Sequence, residues 1–138
     1  MPVEMPYTVV VVEDTHDLRS LWTLMLEHDD RFAVVAEAAN GQTGVVAAEQ
    51  HQPDLVLLDI AMPIMDGFQA LSLIRNLCPR SAVVMLSSFS RDSLQAAQAM
   101  ALGAHGYLRK GLSRADLLGK LEAILRGAGG TLGARSLR

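Results

Sequence analysis

Five polar residues stand at the ends of apolar runs, and together their types suit phosphoryl transfer. Glu13 and Asp14 close the run that begins at Thr8. Asp59 closes Leu55 to Leu58, Ser87 closes Ala82 to Leu86, and Lys110 follows Gly106 to Arg109. Three carboxylates in one cleft repel one another, and unaided one of them tends to keep a proton. A hard divalent cation removes that conflict. Mg²⁺ takes oxygen ligands, keeps several waters, and is commonly held by one or two carboxylates with phosphate oxygens. The ammonium of Lys110 supplies a second positive charge able to bind a phosphate oxygen, and Ser87 supplies a hydroxyl donor. A carboxylate nucleophile, a metal, an ammonium and a hydroxyl make a site whose task is positioning and charge neutralisation.

Taken singly, each residue has a plainer role. An acid after a strand often caps a helix or sits solvated in a loop, and Asp14 is placed to cap the first helix. Ser87 can satisfy local backbone groups, and Lys110 can be surface charge. The chemistry rests on the joint arrangement, and therefore on elements that bring five distant positions together.

Those elements are legible as alternating patterns. TVVVV (Thr8 to Val12), LVLL (Leu55 to Leu58) and AVVML (Ala82 to Leu86) are short runs, apolar on every side. Such runs fit strands covered on both faces, as in a parallel sheet. Phe32 to Ala38 is a weaker run and Gly106 to Arg109 a short one, so both suit sheet edges. Leu18, Leu21, Trp22, Met25 and Leu26 fall on one helical face, as do Leu117, Leu118, Leu121, Ile124 and Leu125. Ser113 followed by Asp116 is close to a capping box for the last helix. Gly41 to Gln50, Gly67 to Cys78 and Arg91 to Ala101 complete five helices. Pro53 and Pro79 fall between elements. Five strand–helix units predict an α/β domain with a parallel sheet and helices on both faces, because the crossovers are right-handed. Sites in open sheets of this kind form outside the carboxyl ends of the strands, which is where the five polar residues lie. The stretch Gly127 to Arg138 holds four of the eleven glycines, and we divide the chain into a domain over 1–127 and a tail or linker over 128–138.

Composition sets outer limits. The 138 residues suit one domain, and half are hydrophobic. A net charge of −3 without a long run of one sign argues against a nucleic-acid-binding surface. Cys78 is the single thiol, so no intrachain disulfide forms and a reducing compartment is expected. No apolar run approaches the roughly 20 residues a bilayer requires, and MPVEMP does not read as a signal peptide. His16, His28, His51 and His105 show no ligand spacing, and mostly surface roles are expected of them. Trp22 and the methionines read as core, and Cys78 as structural.

Across Tyr7 to Arg126 the sequence resembles the response-regulator receiver domains, the CheY-like family of two-component signalling. The most specific stretch is DLVLLDIAMPIMDG, Asp54 to Gly67, supported by VVVVED, VVMLSS and GAHGYLRK. The resemblance implies a flavodoxin-like, doubly wound (βα)5 fold with strand order 2-1-3-4-5. It implies that Asp59 accepts phosphate from the phosphohistidine of a sensor histidine kinase or phosphotransfer protein. Asp14, Asp59 and the backbone carbonyl of Ala61 would ligate Mg²⁺, with Mn²⁺ as an alternative and Glu13 acting through a bound water. Ser87 and Lys110 would hold the phosphoryl oxygens, and Ser87 and Tyr107 would form the switch. The implied protein is a cytoplasmic phosphoprotein that catalyses only its own phosphorylation and dephosphorylation. Its output would pass through the surface of the fourth helix, fifth strand and fifth helix to a partner, an output domain or a second copy, without direct nucleic-acid or membrane contact. The family often has Pro after the lysine, where Gly111 stands here, and more often threonine than serine at the position of Ser87.

Other classes fit less well. A haloacid-dehalogenase-like phosphatase needs a second Asp two residues after the nucleophile, and Ala61 sits there. A dinucleotide fold needs G-x-G-x-x-G after the first strand, and VVEDTHD has none. A receiver acting purely as a binding module would lack some of the acids or the lysine. The chain reads either as a stand-alone receiver or as the N-terminal part of a helix-turn-helix regulator. KGLSRADLLGKLEAILRGAGG resembles the end of receivers joined to helix-turn-helix transcription factors, and that resemblance favours the second.

Overall fold

A computed structural model describes residues 5–88 and 93–127. Its elements alternate: β1 (Tyr7–Val12), α1 (His16–Glu27), β2 (Phe32–Ala38), α2 (Gly41–His51), β3 (Leu55–Asp59), α3 (Gly67–Leu77), β4 (Ala82–Ser87), α4 (Ser93–Ala101), β5 (Gly106–Arg109) and α5 (Arg114–Gly127). The strands form one parallel sheet in the order β2-β1-β3-β4-β5. The expected flavodoxin-like α/β architecture is what the chain adopts, with the two weaker runs at the edges.

The period of two along each strand explains the double cover. Val9, Val11, Leu55, Leu57, Val84 and Leu86 face one way and pack with Trp22 and Leu26 of α1 and with Leu117, Leu118, Leu121 and Leu125 of α5. Val10, Val12, Val56, Leu58, Val83 and Met85 face the other way, against Ala48 of α2, Ala70, Leu71 and Ile74 of α3, and Ala99 of α4. Strands buried on both faces cannot alternate in polarity, which is why the three inner ones read as unbroken apolar runs.

Local differences have local causes. Leu21, at the rim of the α1 stripe, is half exposed, while Trp22 and Leu26 take the core side. α3 ends one residue before the expected Cys78, which is the C-cap with φ −130° and is fully buried. α2 runs one residue past Gln50. The expected start of the fourth helix at Arg91 lies outside the described residues, as does the 128–138 tail. At α5 the Ser113 hydroxyl accepts from the Asp116 N–H at 3.2 Å, the forward half of the expected capping box.

One histidine departs from the expected surface role. His16, His28 and His51 are exposed, but His105 is partly buried and its Nδ1 accepts the Val83 N–H at 3.1 Å. The His105 N–H in turn donates to the Val83 carbonyl at 2.8 Å. The ring thus closes the β4–β5 ladder just before β5 begins. Burial lowers the His105 pKa, and the Arg75 guanidinium on α3 lowers it further. A depressed histidine contributes stability that is present above its unfolded pKa of about 6.5 and is lost as pH falls below it. Protonation also turns an acceptor toward a donor. His105→Gln, which keeps an acceptor, should therefore lose less melting temperature than wild type between pH 7.5 and 5. Parallel losses in the two proteins would refute this role.

Candidate functional site

The strand order carries the site. β1 and β3 are neighbours, followed by β4 and β5, so Glu13 and Asp14, Asp59, Ser87 and Lys110 line up across the carboxyl edge of the sheet. The Lys110 N–H donates to the Ser87 carbonyl at 2.8 Å, which extends the β4–β5 pairing to the lysine itself. Glycine at 67 is what lets α3 start so close to Asp59. A Cβ there would collide with the Asp59 carbonyl oxygen and the Ile60 Cα. The Gly67 N–H donates to Ile60 O at 2.8 Å. Asp66, beside it, is the N-cap of α3 and exchanges both bonds of a capping box with Gln69, so its role is to anchor the helix.

Glu13 is fully buried, and Asp59 and Ser87 are each 2% exposed, whereas Asp14 is exposed. One oxygen from each of Glu13, Asp14 and Asp59 lies within 4.8 Å of the others. Lys110 Nζ sits 2.8 Å from Glu13 Oε1 and 2.9 Å from Asp59 Oδ1, bridging the two buried acids. Asp14 is not the cap of α1; Thr15 holds that position, without a side-chain cap bond. Its N–H goes instead to Glu13 Oε2 at 3.2 Å.

The electrostatics divide the acids. Burial pushes the Asp59 pKa up to about 7, against the pull of Lys110 and with the charge of Glu13 adding to the rise. Burial also opposes ionisation of Glu13, but bonds from Lys110 and the Thr15 N–H outweigh it, and Glu13 lies below the usual carboxylate range. Burial disfavours the Lys110 ammonium, yet its two carboxylate partners outweigh that and raise its pKa. Two carboxylates thus contend for one lysine, and the cluster is short of positive charge whenever Asp59 is ionised.

Around this centre, Ala61 lies exposed in the connection from β3 to α3. Tyr107 is partly buried on β5, its hydroxyl donating to Gln95 Oε1 of α4 at 3.2 Å. No cis peptide occurs among the described residues, so the Lys110–Gly111 peptide is trans. One contact escaped the sequence reading: Arg19 Nη1 donates to the Glu13 carbonyl at 2.7 Å. Its position one turn into the helix after the acidic pair was the available signal.

A five-stranded, doubly wound sheet with three acids and a lysine at its carboxyl edge defines a class of phosphoacceptor domain. The sequence model of the response regulator receiver domain matches residues 9–122. The chain belongs to that family. It is 41% identical over 121 residues to protein-glutamate methylesterase/protein-glutamine glutaminase 2 of Nitratidesulfovibrio vulgaris, covering 86% of this chain and 33% of that one. It is 32% identical over 119 residues to transcriptional regulatory protein YdfI of Bacillus subtilis, covering 86% and 55% respectively. The chain therefore spans about a third of the first relative and about half of the second. Among solved structures it is similar to a chain of the CheX-CheY-BeF3-Mg²⁺ complex from Borrelia burgdorferi. The TM-score there is 0.80 at 29% identity, over 87% of this chain and 90% of that one.

Receiver domains bind Mg²⁺ at an acidic pocket, and the donor set here fits such an ion. All three donors are hard carboxylate oxygens, two are buried, and the exposed one, Asp14, leaves the cluster open to solvent. Among the described residues, no helix is long and apolar enough to cross a membrane.

Proposed function

We propose that the chain is a phosphorylation-activated signalling switch whose acceptor is Asp59, charged by a histidine kinase or phosphotransfer protein in the cytoplasm. The observation that carries this is the Lys110 ammonium held between buried Glu13 and Asp59, with Asp14 at the open side. A nucleophile that is buried yet reachable from one side, beside a fixed cation, suits in-line attack on an incoming phosphoryl group. Asp14, Asp59 and the Ala61 carbonyl would hold Mg²⁺, with Glu13 acting through a bound water. When bound, the ion supplies charge neutralisation for the acceptor and the phosphoryl oxygens. Lys110 and the Ser87 hydroxyl hold the remaining oxygens. Wild type incubated with acetyl phosphate and Mg²⁺ should gain one phosphoryl mass, sensitive to hydroxylamine. No gain, or a gain that resists hydroxylamine, refutes an acyl phosphate.

The metal is tested separately. A ligand that binds only the folded state raises its stability by mass action. The melting temperature should rise with millimolar Mg²⁺, and Asp14→Ala should remove that rise. An unchanged wild-type melting point over the same range rules the site out.

The output reading follows from α4. Among its described side chains only Ala99 is fully buried, while Leu94 is 81% and Met100 51% exposed. A helix seated through so few groups, linked to Tyr107 by the bond to Gln95, suits a two-state element that a small charge change biases. We assign the α4-β5-α5 surface to the partner, an output domain or a second copy. We place the domain boundary at 127. Relatives that carry a further methylesterase or transcriptional-regulator region favour a receiver that works within a larger regulator over a stand-alone one.

A further inference from the structure

We propose that Arg19 is a positioning residue for the acid pair. Its guanidinium fixes the Glu13–Asp14 peptide, and so aims the Asp14 carboxylate at Asp59. The inference rests on reading Glu13, Asp14 and Asp59 as the metal site.

Three observations converge. Arg19 Nη1 donates to the Glu13 carbonyl oxygen at 2.7 Å, a short, charge-assisted bond. That oxygen and the Asp14 N–H belong to one peptide plane, and a planar peptide cannot turn one without the other. Holding the carbonyl therefore sets the direction in which the Asp14 side chain leaves the backbone. The guanidinium is itself held from the other side, with Nε 3.5 Å from Glu37 Oε1 of β2, and the Arg19 side chain is only 16% exposed. Finally, the N-cap Thr15 makes no side-chain cap bond, and the turn's other side-chain bond, from the Thr15 N–H to Glu13 Oε2 at 3.2 Å, is local to the acid pair, so Arg19 is what ties the pair to the body of α1. The Glu13 N–H is tied to Ala38 O at 3.0 Å, so with Arg19 both faces of the residue preceding Asp14 are secured to β2 or α1.

The choice of cation matters. Lys110 engages the carboxylates directly, whereas Arg19 binds a carbonyl and leaves the acids for the metal. A guanidinium presents several N–H groups in a rigid fork and can serve the carbonyl and Glu37 together. A lysine ammonium is a point charge on a flexible stem and lacks that fixed fork.

The test is a calorimetric titration of the full chain with MgCl2, for wild type, Arg19→Ala, Arg19→Lys and Glu37→Gln. Groups that orient metal ligands typically change affinity by roughly 10–100-fold when removed. Arg19→Ala should thus weaken Mg²⁺ binding by about tenfold or more, with Arg19→Lys and Glu37→Gln in between. Phosphorylation by acetyl phosphate at saturating Mg²⁺ should return close to wild type, because the defect lies in metal affinity. A purely structural role predicts a lower melting temperature with Mg²⁺ affinity within about twofold of wild type, and that result overturns the inference. Should Arg19→Ala fail to fold, wild-type affinity in both other variants overturns it equally. Wild type that takes up no Mg²⁺ overturns the site reading itself, and this inference with it.

Discussion

Asp59→Asn should gain no phosphoryl mass under conditions in which wild type gains one, and at pH 8 without Mg²⁺ it should melt several degrees higher than wild type. The first effect is loss of the nucleophile: an amide forms no acyl phosphate, so a residual rate at or above a hundredth of wild type would move the acceptor elsewhere. The second follows from burial. The Asp59 carboxyl is raised from an ordinary 3.8 to about 7, chiefly because its charged form is desolvated, with Glu13 adding repulsion. Between those two values the folded chain holds a proton that the unfolded chain has released. Stability therefore falls as pH rises through that window, and the loss is complete above it. Asparagine removes the titration and keeps the shape. The melting gap between variant and wild type should be small near pH 4, open through pH 4 to 7, and level off above. Its plateau should be on the order of 2–4 kcal/mol, from a shift of about three units at 1.36 kcal/mol each. A gap that does not vary with pH would show that Asp59 carries no such strain.

Lys110→Ala should act in the opposite direction and more broadly. It removes the one cation that touches both buried acids among the described residues, at 2.8 and 2.9 Å. Breaking a buried ion pair from one side leaves an uncompensated charge, which costs about 3–5 kcal/mol where burial is complete. Here the pocket opens to solvent, with the Lys110 side chain 13% exposed, so about 3 kcal/mol at pH 8 is expected. Two rescues should follow. Acid restores stability by protonating Asp59, and millimolar Mg²⁺ restores it by supplying positive charge to the same cluster. Neither restores the reaction. Without the ammonium on the phosphoryl oxygens, phosphorylation at saturating Mg²⁺ should remain slower by roughly a hundredfold, the usual loss for a fixed transition-state donor. Unchanged kinetics would assign Lys110 to scaffolding alone. Destabilisation that neither acid nor Mg²⁺ relieves would show that its partners are not the carboxylates.

Both predictions depend on how the chain encodes a site through separate strand ends. The unbroken apolar character of Val9 to Val12, Leu55 to Leu58 and Ala82 to Leu86 already implied strands covered on two faces, because only such strands have no wet side to mark. The interruption of each run by a polar residue already marked the functional edge. The candidate chemistry of Glu13, Asp14, Asp59, Ser87 and Lys110 was legible from residue type together with their shared position after apolar runs. So was the rank of the strands, since the weaker runs at Phe32 to Ala38 and Gly106 to Arg109 lie at the edges.

What the sequence alone determined, then, was the inventory: which elements form, which residues could act on phosphate, and that they gather at one end of a parallel sheet. Tertiary structure decided who touches whom. That Lys110 bridges Glu13 and Asp59, that Thr15 and not Asp14 begins α1, that His105 closes the β4–β5 ladder and that Arg19 grips the Glu13 carbonyl are pairings across long or irregular connections. Periodicity reports the face on which a residue lies, while a hydrogen bond depends on the last ångström of a turn and on the burial around it. The same burial separates the fates of chemically similar acids, leaving Asp14 exposed while it raises Asp59 to about 7, because desolvation is a property of the folded surroundings and not of the residue.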